Sequence, residues 1–245
     1  MTTATATARH RGPVLRSAAL IVGLNAYLFV WFWVIVVTGV VIGTLVLAHV
    51  NGRVDAAVTL YARQGALWFP FSMAILLVAA QLRVHVAAGR TRRTFARASL
   101  PVAVGTGVAY AVVLQLLALA ERTVHDAAGW GWRVMDPMLA DESSPAGLLL
   151  AELVVLLVAG NVSGLLVGVV YQRARGWWGT LWLPLTVGPL VGVALLLEGA
   201  GGAPHVARTW SAAALPLLGG VALVALMAAA YAAVVRTVAI RPPAA

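Results

Sequence analysis

The residues able to do chemistry gather in two kinds of place. Five arginines, Arg83, Arg90, Arg92, Arg93 and Arg97, crowd the stretch from Arg83 to Ala98, which reads RVHVAAGRTRRTFARA. Guanidinium groups in such a run bind acidic partners or lipid headgroups. Glu121, Glu152 and Glu198 stand at the ends of long apolar runs, and Asn161 lies inside one. Polar groups at membrane depth mark a substrate or proton path, or serve as structural and interfacial groups. Other chemistries lack their parts. There is no Cys, hence no disulfide, thiolate metal site or cysteine nucleophile. His10, His49, His85, His125 and His205 show no metal-ligand spacing on one helix. Ser72, Ser99 and Ser163 are isolated hydroxyls with no base beside them in sequence. No catalytic residue, metal ligand or enzyme activity is expected. The chain also lacks a GxxxxGK[ST] phosphate loop and has no Lys, so it is not a conventional P-loop ATPase.

The elements that must position these groups are apolar. Of 245 residues, 62% are hydrophobic and 10% charged, where soluble domains carry about 25% charged residues. Too few polar residues remain to cover a soluble surface, so the bilayer is the solvent. The formal charge of +9 lies in short tracts between apolar runs, a pattern of membrane orientation and not of nucleic-acid binding. The expected fold is an all-α integral membrane protein, a six-helix bundle. A span needs about 20 mostly apolar residues, and six segments qualify, at about 27–50, 67–86, 99–120, 148–171, 180–197 and 211–235. Residues 1–11 are expected to form a disordered cytoplasmic tail, and 12–245 a single transmembrane domain. The apolar run from about Ala18 to Val50 exceeds a cleavable signal core. It predicts an uncleaved anchor, preceded by an interfacial helix over Gly12–Ala26.

The charges divide the loops. Arg9, Arg11 and Arg16, the loop arginines 83–97, Arg173 and Arg175, and Arg236 and Arg241 fall on one side of a six-span bundle. Arg53, Arg63, Arg122, Arg133 and Arg208 fall on the other, with Asp55, Glu121, Asp126, Asp136, Asp141, Glu142, Glu152 and Glu198. Cytoplasmic loops carry the Arg excess, so both termini are expected in the cytoplasm. Gly160, Gly164 and Gly168 share one face of the fourth span, as Gly39 and Gly43 do in the first. Small residues let helices approach closely in lipid. They predict either packing within the chain or a dimer interface. Asn161, in the same stripe, is expected to bond to a neighbouring helix. Most tryptophans flank spans; Trp31 and Trp33 lie inside the first and are expected to face lipid.

Within the basic stretch, Arg90, Arg93 and Arg97 fall at helical spacing, with Thr91 or Thr94 as a cap and Phe95 as an aromatic knob. Gly89-Arg-Thr-Arg-Arg-Thr-Phe95 follows one span and precedes another that ends in Glu121. This resembles the G-x-T-R-R-x-F stretch in permease subunits of bacterial ATP-binding cassette (ABC) transporters of the type 2, exporter-like class. The six-span layout and the N-terminal helix are similar as well. In that family the stretch forms a short cytoplasmic coupling helix that docks on the ATPase subunit. The resemblance implies that Gly89, Arg90, Thr91, Arg92, Arg93, Phe95 and Arg97 form the docking element, with Phe95 as its anchor. It implies an ABC ATPase partner that holds ATP and Mg, a second permease copy in a homodimer, and location in the bacterial inner membrane among its lipids. The cargo would be lipophilic or amphiphilic: a drug, an antibiotic or a lipid. Where that family often has a longer re-entrant element, this chain has only about Glu198 to Trp210, a shortened version or a plain loop. A non-transporting accessory or assembly protein is the alternative reading.

Overall fold

A computed structural model describes residues 13–174, 177–199 and 209–238. The expected N-terminal tail and most of the segment after Glu198 lie outside the described residues. In hydrocarbon an unpaired backbone N–H or C=O costs several kcal/mol, so an apolar run closes its own bonds as a helix. The helices are α1 (Pro13–Asn51), α2 (Ala62–Ala87), α3 (Arg92–Ala128), α4 (Ala146–Arg173), the short α5 (Trp177–Leu181), α6 (Leu183–Glu198) and α7 (Trp210–Thr237). A 3₁₀ turn, Val58–Tyr61, leads into α2. Among the described residues, six helical stretches are long and apolar enough to cross a membrane, α5 and α6 making one of them.

The start of the chain differs from the sequence expectation. Pro13–Asn51 is one unbroken helix of 39 residues, so among the described residues the stretch expected as an interfacial helix is continuous with the first span. Gly23 is the only breaker near the expected junction, and a single Gly costs a helix only about 1 kcal/mol. At 1.5 Å per residue α1 is about 58 Å long, nearly twice the hydrocarbon thickness of about 30 Å.

Placement follows apolarity. A helix that is apolar on every side belongs in the middle. In α4, 94% of its most apolar window is buried, against 39% or less in every other span. It is surrounded by α2, α3, α6 and α7, while α1 lies outermost against α3. The long loop between α3 and α4 is an ordered cap. Gly129 ends α3 in the left-handed region (φ +67). Ala57 N–H then donates to Arg133 O (2.9 Å), and Arg133 N–H to Asp55 O (2.8 Å). Met138, Leu139 and Ala140 are buried beneath this cap.

The glycine stripe serves packing within the chain. A Cβ on Gly164 would strike the Phe71 carbonyl of α2, and one on Gly168 would lie 2.9 Å from Val78 Cβ. On the opposite side, a Cβ on Gly107 of α3 would lie 2.7 Å from Val158 Cα. The dimer-interface alternative therefore does not apply to Gly160, Gly164 and Gly168, whose face α2 fills. Gly39 has no neighbour within 4 Å, and Gly43 touches only Val58 at 3.7 Å. Gly164→Val should destabilise the purified protein by about 1–3 kcal/mol, the usual range for overpacking. Gly39→Ala should leave stability unchanged or slightly raised, since it gains helix propensity in open space. Equal melting temperatures for Gly164→Val and wild type in detergent would contradict the tight α2–α4 seam.

Candidate functional site

Three regions carry the polar chemistry: a basic end, an acidic end and a cavity between them. The basic end holds the expected docking stretch. Gly89 takes φ +74, which lets the chain reverse after α2. Thr91 is extended, and its Oγ1 accepts the Thr94 N–H at 3.1 Å, making it the N-cap of α3. From Arg92 the helix runs without interruption to Ala128, so there is no separate coupling helix. Phe95 corrects a second expectation. It is 1% exposed and meets the His85 ring edge-on at 5.4 Å, so it anchors the turn to its own α2. The arginine stripe also divides. Arg90 precedes the helix and donates to Ser17 Oγ of α1 at 2.9 Å. Arg92 is half-buried, and its Nε has no bonding partner. Only Arg93 and Arg97 stand outward, one turn apart. Arg83 bonds to Gln172 (3.1 Å) and Arg173 to Thr237 at this same end. Every acidic residue of the chain lies toward the opposite end.

The acidic end is built on burial. Glu152 is fully buried, not interfacial as its place near the start of α4 suggested. Its Oε2 accepts N–H bonds from Leu139 (3.0 Å) and Ala140 (2.8 Å), and its Oε1 lies 3.5 Å from Arg63 Nη1. Arg63 Nη2 donates to both the carbonyl and Oδ2 of Asp136 at 2.9 Å. A buried charge must be paired and hydrogen-bonded to be tolerated, and here one ion pair ties α2, α4 and the cap together. The sequence reading missed Arg63 as its partner. A lone Arg opening one apolar run and a lone Glu opening another were the available signal. Glu121 accepts the Thr59 N–H (3.1 Å) and the Trp132 Nε1–H (3.3 Å), so it pins the 3₁₀ turn to the cap. His125 is fully buried, and its Nδ1 lies 2.7 Å from the Gly131 carbonyl, which requires the proton on Nδ1. In the cap, burial acts to raise the Asp141 carboxyl. Hydrogen bonds from Ser143 and Ser144 outweigh it and hold the group below the usual carboxylate range.

The four expected path residues do not converge. Glu121 and Glu152 sit in separate structural settings, and Glu198 is exposed at the end of α6. Asn161 donates from Nδ2 to Leu157 O of its own helix (2.9 Å), not to a neighbouring helix. Asn161 does reach a cavity of about 480 Å³ lined by α1, α2, α3 and α4. The wall is apolar apart from Asn25, Thr106, Tyr110 and Asn161. Aromatic contacts close it toward the acidic end. Phe29 meets Tyr110 at 4.9 Å, and Phe32 stacks on Phe69 at 5.1 Å. Trp33 belongs to this cluster and is 6% exposed, so it does not face lipid; Trp31 does lie on the outer surface. Among the described residues no three His, Asp or Glu side chains are gathered to hold a metal ion.

No protein-family model matches the chain, and comparison with curated proteins and with solved structures found no match either.

The ion pair makes a sharp prediction. Arg63→Met alone should cost about 3–5 kcal/mol, the penalty for an uncompensated buried charge. Adding Glu152→Gln removes that charge and leaves an acceptor for the Leu139 and Ala140 amides, so the double variant should lose less than half as much. Simply additive losses in equilibrium unfolding would show that the two side chains do not interact.

Proposed function

We propose that this chain is the membrane-spanning permease subunit of an ATP-driven exporter of the ABC type 2 class. It would act as a homodimer in a bacterial inner membrane, with both termini in the cytoplasm. ATP and Mg would be held by a separate ATPase subunit. The cargo would be lipophilic or amphiphilic, in keeping with an apolar cavity that carries few polar groups.

One observation carries this proposal. The turn at Gly89–Thr91 is fastened to three helices at once: to α1 through Arg90 and Ser17, to α2 through Phe95 and His85, and to α3 by direct continuation. A partner that grips Arg93 from outside would therefore move α1, α2 and α3 together. Coupling by rigid-body movement of packed elements needs such an attachment. In this version the docking surface centres on the exposed Arg93, and Phe95 stiffens the turn from within. The accessory-protein reading draws on a different observation. The buried charges among the described residues, Arg63, Glu121 and Glu152, all have structural partners, and none lines the cavity.

Co-purification with the cell's ATPases separates the two. Arg93→Glu should reduce capture of an ABC ATPase at least tenfold, since like charges set face to face cost several kcal/mol. Arg53→Glu, an exposed reversal at the acidic end, should leave capture unchanged. Failure of wild type to capture any ATPase under conditions that preserve such complexes would favour the accessory reading.

A further inference from the structure

We infer that the cavity between α1, α2, α3 and α4 holds an acyl chain of an anionic phospholipid, whose phosphate is met by Arg97. The inference does not depend on an ATPase partner. It begins with position. Arg97, Pro101 and Gly105 are exposed at four-residue spacing on one face of α3, and Pro101 and Gly105 line the cavity. The Cα of Arg97 thus lies about 6 Å beyond the cavity along the helix axis. Arg97 bonds to no side chain among the described residues. On the other flank, the Arg90–Ser17 bond lies about 8 Å along α1 from Val22, where the α1 lining begins.

Length and opening fit one lipid tail. The α3 lining runs from Pro101 to Tyr110, about 14 Å of helix. That is close to half of a hydrocarbon core of about 30 Å, the depth of a single leaflet. The far end is shut by the Phe29–Tyr110 and Phe32–Phe69 contacts. The side is not shut. Val22 and Leu28 in its wall are 51% and 37% exposed, so the cavity opens toward the surrounding acyl chains. Charge selects the headgroup. Arg83, Arg90, Arg92, Arg93 and Arg97 stand at this end and every acid lies toward the other, so a phosphate carrying net negative charge is favoured over a zwitterion.

The test uses the full chain in nanodiscs of equal phosphatidylglycerol and phosphatidylcholine, released and weighed by native mass spectrometry. Wild type should retain phosphatidylglycerol over phosphatidylcholine by roughly fivefold, the factor one surface arginine supplies. Arg97→Glu should abolish the preference. Gly105→Phe should lower the number of retained lipids of both kinds, because an added side chain there meets open space within the cavity. Gly105→Ala should match wild type. Equal preference in wild type and Arg97→Glu would overturn the headgroup assignment. An unchanged lipid count in Gly105→Phe would overturn the cavity assignment. If that variant instead broke a dimer, the cleft would belong to a second copy. Should Gly105→Phe fail to fold, wild type exposed to phosphatidylglycerol bearing a photoreactive acyl chain keeps the question open to decision. Adducts at Met73 and Tyr110 are expected, and their absence would overturn the proposal.

Discussion

The structure depends on how closely α4 can approach its neighbours. In lipid no hydrophobic effect drives one apolar helix against another, so close backbone contact and polar ties must do it. Gly160, Gly164 and Gly168 let α2 lie against α4, and Gly107 lets α3 lie against its other side. At the acidic end the Arg63–Glu152 pair locks the same α2–α4 seam, and the cap contributes two backbone amides to it. The glycines permit the approach. The ion pair fixes its register, because a shift along the seam would leave a carboxylate buried without its partners.

The two ends of the bundle then take different roles. The acidic end is closed and internally bonded: Glu121, Glu152 and Asp136 all face partners within the chain. The basic end keeps Arg93 and Arg97 exposed, while its internal bonds join α1, α2 and α3 around one turn. Because α1 leans on α3 and meets α2 mainly through the Phe32–Phe69 stack, a cleft remains beside the central helix. A rigid seam, a fastened turn and a side-opening cleft all follow from this packing.

The sequence made some of this legible. Continuous apolarity defined six spans, because hydrocarbon imposes a strong local constraint on the backbone. The gathering of every Asp and Glu at one end, opposite the arginine-rich turn, matched the two ends of the bundle. The glycine stripe was recognisable as a packing face, but its partner was not, since spacing along one helix does not name the helix opposite. Phe95 shows the same limit. Its place amid arginines suggested an exposed knob, yet whether an aromatic points outward or toward His85 depends on where α2 ends. Arg63 and Glu152 are far apart in sequence and each resembles an ordinary interfacial charge alone. The cap between α3 and α4 was illegible for another reason. It is held by the backbone bonds of Arg133 with Asp55 and Ala57 and by Glu142, which leave no periodic pattern.

The central claim is that α4 is shielded from the surrounding bilayer by its neighbours. Photolabelling of the wild-type protein with a lipid-borne carbene precursor, followed by peptide mapping, tests it without any substitution. Adducts are expected on outward residues such as Ile35 and Leu45 of α1, Leu195 of α6 and Leu218 of α7, which are more than half exposed. The segment from Leu153 to Val158 of α4 should carry none. Labelling of that segment at the level of α1 would place α4 at the lipid surface and contradict the architecture.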